Sequence, residues 1–289
     1  MMFSKVVNYD IKCGILRFLP AYLYVSVFTL INSNTFFNTL IADIETETHK
    51  MTIGDLLFNL FAGMLPPEIF EGEKPIPIKL LTLVLPFFFI ILYYPFRDLN
   101  GFGSQLLCRS KSRKLWVSSK ILYTFLSCII YFIVLVLSVL IFALFKGVKL
   151  SMFVNEETVN YFDIYYSELP ANGFPLSIGT NFIILIFISF FATALIQLLF
   201  SMIIGPLFSY CITVASITAS IFVNSAYLPG NYMMLLRYDS VIGDEMQTII
   251  NTPINIYSGI IILFIFILVT TICLYGIFCK RYDILNKVI

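Results

Sequence analysis

Residues 97–120 read RDLNGFGSQLLCRSKSRKLWVSSK. This stretch separates two long apolar runs and holds six of the chain's eighteen Lys and Arg residues. The rest of the sequence is poor in charge: 59% of its 289 residues are hydrophobic and 12% are charged. So few charges cannot cover the apolar surface of a soluble domain of this length, and the composition indicates a polytopic membrane protein. A net charge of +1 gives no reason to expect nucleic acid as a partner.

Outward from this stretch, six uncharged segments approach the roughly 17–25 residues that an apolar bilayer core about 30 Å thick requires. They lie near 18–40, 80–96, 121–145, 177–200, 206–228 and 257–279. No charge occurs between Glu168 and Arg237, which is too long for one crossing, and Gly205-Pro206 supplies the break for a tight hairpin. With the N-terminus inside, segments 1–17, 97–120 and 280–289 hold twelve of the eighteen Lys and Arg against three acids. Segments 41–79, 146–176 and 229–256 then hold six Lys and Arg against fourteen acids, and no ionised residue is left in a span. Basic excess marks the cytoplasmic side, so both termini are expected there. The expected fold class is an all-α membrane protein with six transmembrane helices in a single domain over 1–289. No secretory signal peptide is expected, and none of the six cysteines falls in an outer segment, so no disulfide framework is expected either. Frequent Ile, Phe, Asn and Lys point to a low-GC bacterial source.

The segments between the spans have their own patterns. In 1–17, Phe3, Val6, Val7, Ile11, Gly14 and Ile15 share one helical face, which predicts a helix lying in the membrane interface. Asn32, Asn34 and Asn38 sit toward the outer end of the first span. Bare amides are costly in lipid, so they serve either interhelical hydrogen bonding or substrate contact. In 41–79, Leu56, Leu57, Leu60, Phe61 and Met64 recur at helical spacing, with Thr52 and Asp55 as the start signal and Pro66-Pro67 as the stop. This amphipathic helix is expected to rest on the outer leaflet or cap a cavity. Ser209, Thr213, Ser216, Ser220 and Asn224 form a polar stripe on the fifth span, suited to close helix packing or to lining a path. In 229–256, Pro229-Gly230 breaks the helix and MMLL follows before Arg237, a pattern that fits a partly re-entrant segment.

Several chemistries are absent from the sequence. It has no G-x-x-x-x-G-K-[ST] phosphate loop, no H-E-x-x-H, no zinc-spaced cysteines and no nucleophile elbow. His49 is the only histidine, and Glu156-Glu157 lacks the Arg of an intramembrane protease motif. No catalytic residue, no metal ligand set and no proton relay are expected, so the chain reads as a conduit without an energy source.

Residues 97–120 then acquire a second meaning. Asn100-Gly101 and Gly103 are turn signals, and Ser104 can cap a short helix over Gln105, Leu106, Leu107 and Cys108. Basic residues follow, and Trp116 is placed to anchor the third span at the interface. The six spans, the interfacial first helix, this helical loop and the broken outer segment together resemble the membrane subunits of type-2 ABC exporters. The resemblance covers the layout of the whole chain, and PFRDLNGFGSQLLCRSKSRKLWVSSK is its most word-like part. It implies that the loop is a coupling helix that docks on a separate ABC ATPase subunit. Phe102, Ser104, Gln105, Leu106, Leu107 and Cys108 would make the contact, flanked by Arg109, Lys111, Arg113 and Lys114. ATP and Mg would sit on that ATPase, leaving no cofactor in this chain. A second permease copy or a homologous permease would pair through spans one and five, in contact with membrane lipids. The expectation is a bacterial plasma-membrane exporter moving an amphipathic, bacteriocin-like cationic peptide, with lipid or hydrophobic-drug export and a non-transporting sensor or anchor as alternatives.

Overall fold

The computed structural model describes residues 2–44, 51–69, 76–99, 113–162, 180–241 and 254–280. Among these residues the chain is mostly helical, and two isolated bridges replace any true strand. We number the α-helices α1 (Met2–Asp10), α2 (Leu19–Ile44), α3 (Ile53–Phe61), α4 (Ile78–Leu99), α5 (Arg113–Lys146), α6 (Glu156–Tyr161), α7 (Thr180–Ile204), α8 (Pro206–Phe222) and α9 (Ile256–Lys280). A π-turn, Ile11–Ile15, and a 3-10 turn, Leu16–Phe18, carry α1 directly into α2.

Among the described residues, four helical stretches are long and apolar enough to cross a membrane: Val6–Ala42, Arg113–Lys146, Asn181–Ile204 and Ile256–Ile277. Two shorter apolar stretches, Ile78–Leu92 and Pro206–Phe222, complete the bundle. Its outer surface is oily. Along α9, Ile261, Phe264, Ile265, Leu268 and Ile272 are all exposed, and α5 exposes Ile133, Leu137, Ile141 and Leu144. Contiguous apolar stripes of this kind need lipid rather than water around them. The chain has the build of a membrane protein.

The six apolar helices alternate in direction. At one end, called here the near end, the last turn of α4 meets the first turns of α5, and Leu274 of α9 joins the cluster around Trp116. At the opposite, far end, α3 packs beside α2, and Tyr232 meets Gly259 at the start of α9. The hairpin between α7 and α8 turns at Gly205, whose φ of +95° suits glycine, and Pro206 opens the next helix.

The central helix is α7, packed by α4, α5, α8 and α9. Ala192 and Ala194 are fully buried and allow close approach. Pro86 and Pro95 interrupt the backbone ladder of α4. Three neighbouring helices donate side-chain hydrogen bonds to the carbonyls beside Pro86: Gln197 Nε2 to Phe88 (3.0 Å), Tyr210 Oη to Leu85 (3.4 Å) and Tyr131 Oη to Leu83. Such donors let proline-bearing helices persist where water is absent.

The far end is closed by buried short segments. The capping box of α3 forms as the sequence predicts, with Asp55 N donating to Thr52 Oγ1 (3.2 Å) and Thr52 N to Asp55 (2.9 Å). This helix does not lie on the surface, because every residue from Ile53 to Phe61 is buried. Its polar face is consumed inside the protein. Asp55 accepts from Asn155 N (2.7 Å) and Nδ2 (2.9 Å), and Asn59 Nδ2 donates to Asn32 Oδ1 (3.0 Å). The second closing element is the pair of 3-10 turns Pro229–Met233 and Leu235–Arg237, also buried throughout. Leu236 N donates to the Ala62 carbonyl (3.0 Å), which ties the two elements together.

Candidate functional site

The near end holds a buried ionic knot. Lys120, 1% exposed, places Nζ 2.7 Å from Asp10 Oδ1 and 2.7 Å from Asp98 Oδ2. Tyr94 Oη donates to Asp10 Oδ1 (2.6 Å), and Trp116 Nε1 donates to Asp98 Oδ2 (3.1 Å). The ammonium also lies 4.6 Å from the centre of the Tyr94 ring and 5.2 Å from that of Trp116. Each part follows from local sequence. Trp116 and Lys120 are four apart on α5 and so share a face. Asp10 ends α1 and Asp98 lies in the last turn of α4, positions where a carboxylate opposes the helix dipole and requires a cation. Gly14 lets the N-terminal segment close on α5, since a Cβ there would fall 2.4 Å from the Tyr123 ring.

Among the described residues the knot contains two carboxylates and one ammonium, and Asp10 Oδ2 and Asp98 Oδ1 have no hydrogen-bond partner there. It differs from the sequence expectation on two points. The sequence places Lys120 and Asp98 in the cytoplasmic segment 97–120, yet α4 and α5 both run past their apolar stretches and bury them. Trp116 is 3% exposed and bonded to Asp98, so it is not a lipid-facing anchor. Acid and base are therefore buried together where α1, α4 and α5 meet.

Mechanically, the knot joins α1 to the two helices that flank 100–112. The expected docking residues Phe102, Ser104, Gln105, Leu106, Leu107, Cys108, Arg109 and Lys111 lie outside the described residues, as does His49. Arg113 opens α5 and is exposed, as is Lys114.

The other expected residues are placed in two groups. Asn32 is buried and bonded to Asn59, while Asn34 and Asn38 are exposed on the outer face of α2. On α8, Ser209 donates to the Gln197 carbonyl (2.6 Å), Thr213 bonds back to Ser209 (3.0 Å), and Ser220 lies against Gly230. Ser216 is half-buried and Asn224 buried. The stripe faces α7 and the 3-10 turns.

Arg237 belongs to a third group that pattern reading missed. It is fully buried, donating from Nε to Met64 O (2.8 Å) and from Nη2 to Ile221 O (2.8 Å). Burial lowers its guanidinium to about 10, with Glu68 opposing. Burial likewise raises the Asp55 carboxyl, against hydrogen bonds from Asn155 and Thr52. Among the described residues no cluster of three His, Cys, Asp or Glu could hold a metal ion. No family model, curated protein or solved structure matches this chain.

Proposed function

We propose that this chain is the membrane subunit of an ATP-driven exporter of the type-2 ABC kind, with six spans and both termini in the cytoplasm of a bacterium. In this reading the four long helices and the two shorter ones all cross the plasma membrane, and the near end is cytoplasmic. A separate ATPase grips residues 102–108, and two permeases work together. The observation that carries the reading is the Lys120 knot. A loop pushed by a partner moves the bundle only if its two flanking helices are coupled to something else. Lys120, Asp98 and Asp10 join both flanking helices to α1, and α1 continues into α2. Closure of the ATPase would therefore rotate α1, α2, α4 and α5 as one body.

The transported molecule is an amphipathic cationic peptide, a class that suits the acid-rich far segments, with fourteen acids against six Lys and Arg. Lipid or hydrophobic-drug export is the nearest alternative, and a non-transporting sensor or anchor the next. Co-expression with a candidate ABC ATPase subunit separates these classes. The complex should co-purify and hydrolyse ATP, and Leu106→Asp with Leu107→Asp should cut the recovered ATPase at least tenfold without lowering the thermal stability of the membrane subunit. Recovery of equal ATPase with the double variant, or none with the native chain, would remove the exporter reading.

A further inference from the structure

The far end contains a cavity that neither the docking loop nor the polar stripe uses. It measures about 340 Å³ and lies between Asn59 and Leu60 of α3, Ile78 and Lys79 of α4, and the aromatic pair Tyr161 and Phe162. Lys79 Nζ reaches Asn59 Oδ1 (3.3 Å), and Asn59 passes the polar chain on to Asn32. No carboxylate pairs with Lys79 among the described residues. At the inner end of this polar chain, the buried Nδ2 of Asn32 has no acceptor among the described residues. The site therefore offers an ammonium with no carboxylate partner among the described residues, which favours an anion.

A second opening lies beside the first. A groove of about 420 Å³ shares Ile78 with the cavity and follows one face of α4 through Leu85 to Phe89, walled by Ala21 and Tyr24 of α2 and by Tyr210 of α8. It is apolar, and it is open along its length. Ile78 to Phe89 is about 16 Å of helix, which is close to the depth of one leaflet of a bilayer core about 30 Å thick. Lys79 is the last charge before the apolar run of α4, so its ammonium stands at the depth of the lipid headgroups.

We propose that this cavity and groove form a binding site for one anionic membrane lipid. The phosphate sits on Lys79, and one acyl chain lies in the groove between α2 and α8. The occupant follows from charge and length together: a soluble anion leaves the groove empty, and a zwitterionic lipid brings a cation beside Lys79. The inference requires only that the chain is in a membrane, and it stands or falls independently of an ATPase partner.

The test uses the full chain in neutral detergent, with thermal unfolding followed against added phosphatidylglycerol, phosphatidylcholine or inorganic phosphate. Phosphatidylglycerol should raise the midpoint saturably and well beyond phosphatidylcholine. Lys79→Gln should weaken that binding about fivefold, Lys79→Arg should keep it, and Leu85→Trp, which fills the groove, should abolish it without removing the charge. Equal shifts from the two lipids, or an undiminished shift in Lys79→Gln, would overturn the proposal. An equal shift from inorganic phosphate would overturn the lipid assignment as well, because it would need no tail.

Discussion

Lys120→Met should destabilise the folded chain by about 3–5 kcal/mol, read as loss of the folded fraction in detergent or of yield from the membrane. The size follows from what is left behind. Asp10 and Asp98, 1% and 6% exposed, would face each other with no cation among the described residues to offset them. Removing one partner of a buried pair costs far more than the pair itself contributes. The charge balance makes the prediction sharper. Two carboxylates share one ammonium, so Asp98→Asn leaves a neutral Lys120–Asp10 pair and a side-chain oxygen that still accepts from Trp116. This variant should lose about 1 kcal/mol or less. The triple replacement Asp10→Asn, Asp98→Asn and Lys120→Met should recover most of the stability lost by Lys120→Met alone. If Asp98→Asn proves as damaging as Lys120→Met, the knot is not held by the charge arrangement described here.

Gly54→Ala is the second large effect, expected at about 3 kcal/mol of destabilisation. A Cβ at this position would lie 2.4 Å from the Phe153 carbonyl oxygen and 2.6 Å from that of Met152. Both are backbone atoms, and the same strip is fixed by Gly54 N donating to Ser151 O (2.9 Å) and Lys149 N to Met51 O (2.9 Å). Neither side can retreat without breaking those bonds or pulling Asp55 away from Asn155. Gly276→Ala is the control, because its Cβ would meet nothing within 4 Å on α9. Its thermal midpoint should stay level or rise slightly, since alanine is the better helix former. A Gly54→Ala protein as stable as the native one would show that α3 is not seated against residues 149–155.

What could be read from the sequence was whatever depends on near neighbours. The Gly205-Pro206 hairpin, the Thr52–Asp55 cap and the broken segment at Pro229 rest on spacings of a few residues, and each is found where the pattern puts it. Of the six expected spans, four are helices of spanning length, whereas 80–96 and 206–228 appear as shorter apolar helices. The knot was not legible, because Lys120 and Asp10 are 110 residues apart and charge counting assigns each to a loop by itself. The available signal was the Trp116–Lys120 spacing at the mouth of an apolar helix. The burial of α3 was hidden for a related reason. Its polar face looked solvated, yet Asp55 and Asn59 are satisfied by Asn155 and Asn32 on other elements. Arg237 looked like the end of an apolar run because its acceptors are backbone carbonyls, which no side-chain pattern announces.

The most direct test of a cytoplasmic docking loop is labelling of intact cells with a membrane-impermeant maleimide, in chains that each keep a single cysteine. Cys108 reports the loop, and Tyr227→Cys reports the far end, where Tyr227 is 75% exposed. The exporter reading predicts that Tyr227→Cys reacts on intact cells and that Cys108 reacts only after the membrane is opened. Reaction of Cys108 on intact cells, with Tyr227→Cys protected until permeabilisation, would place the loop outside and contradict it.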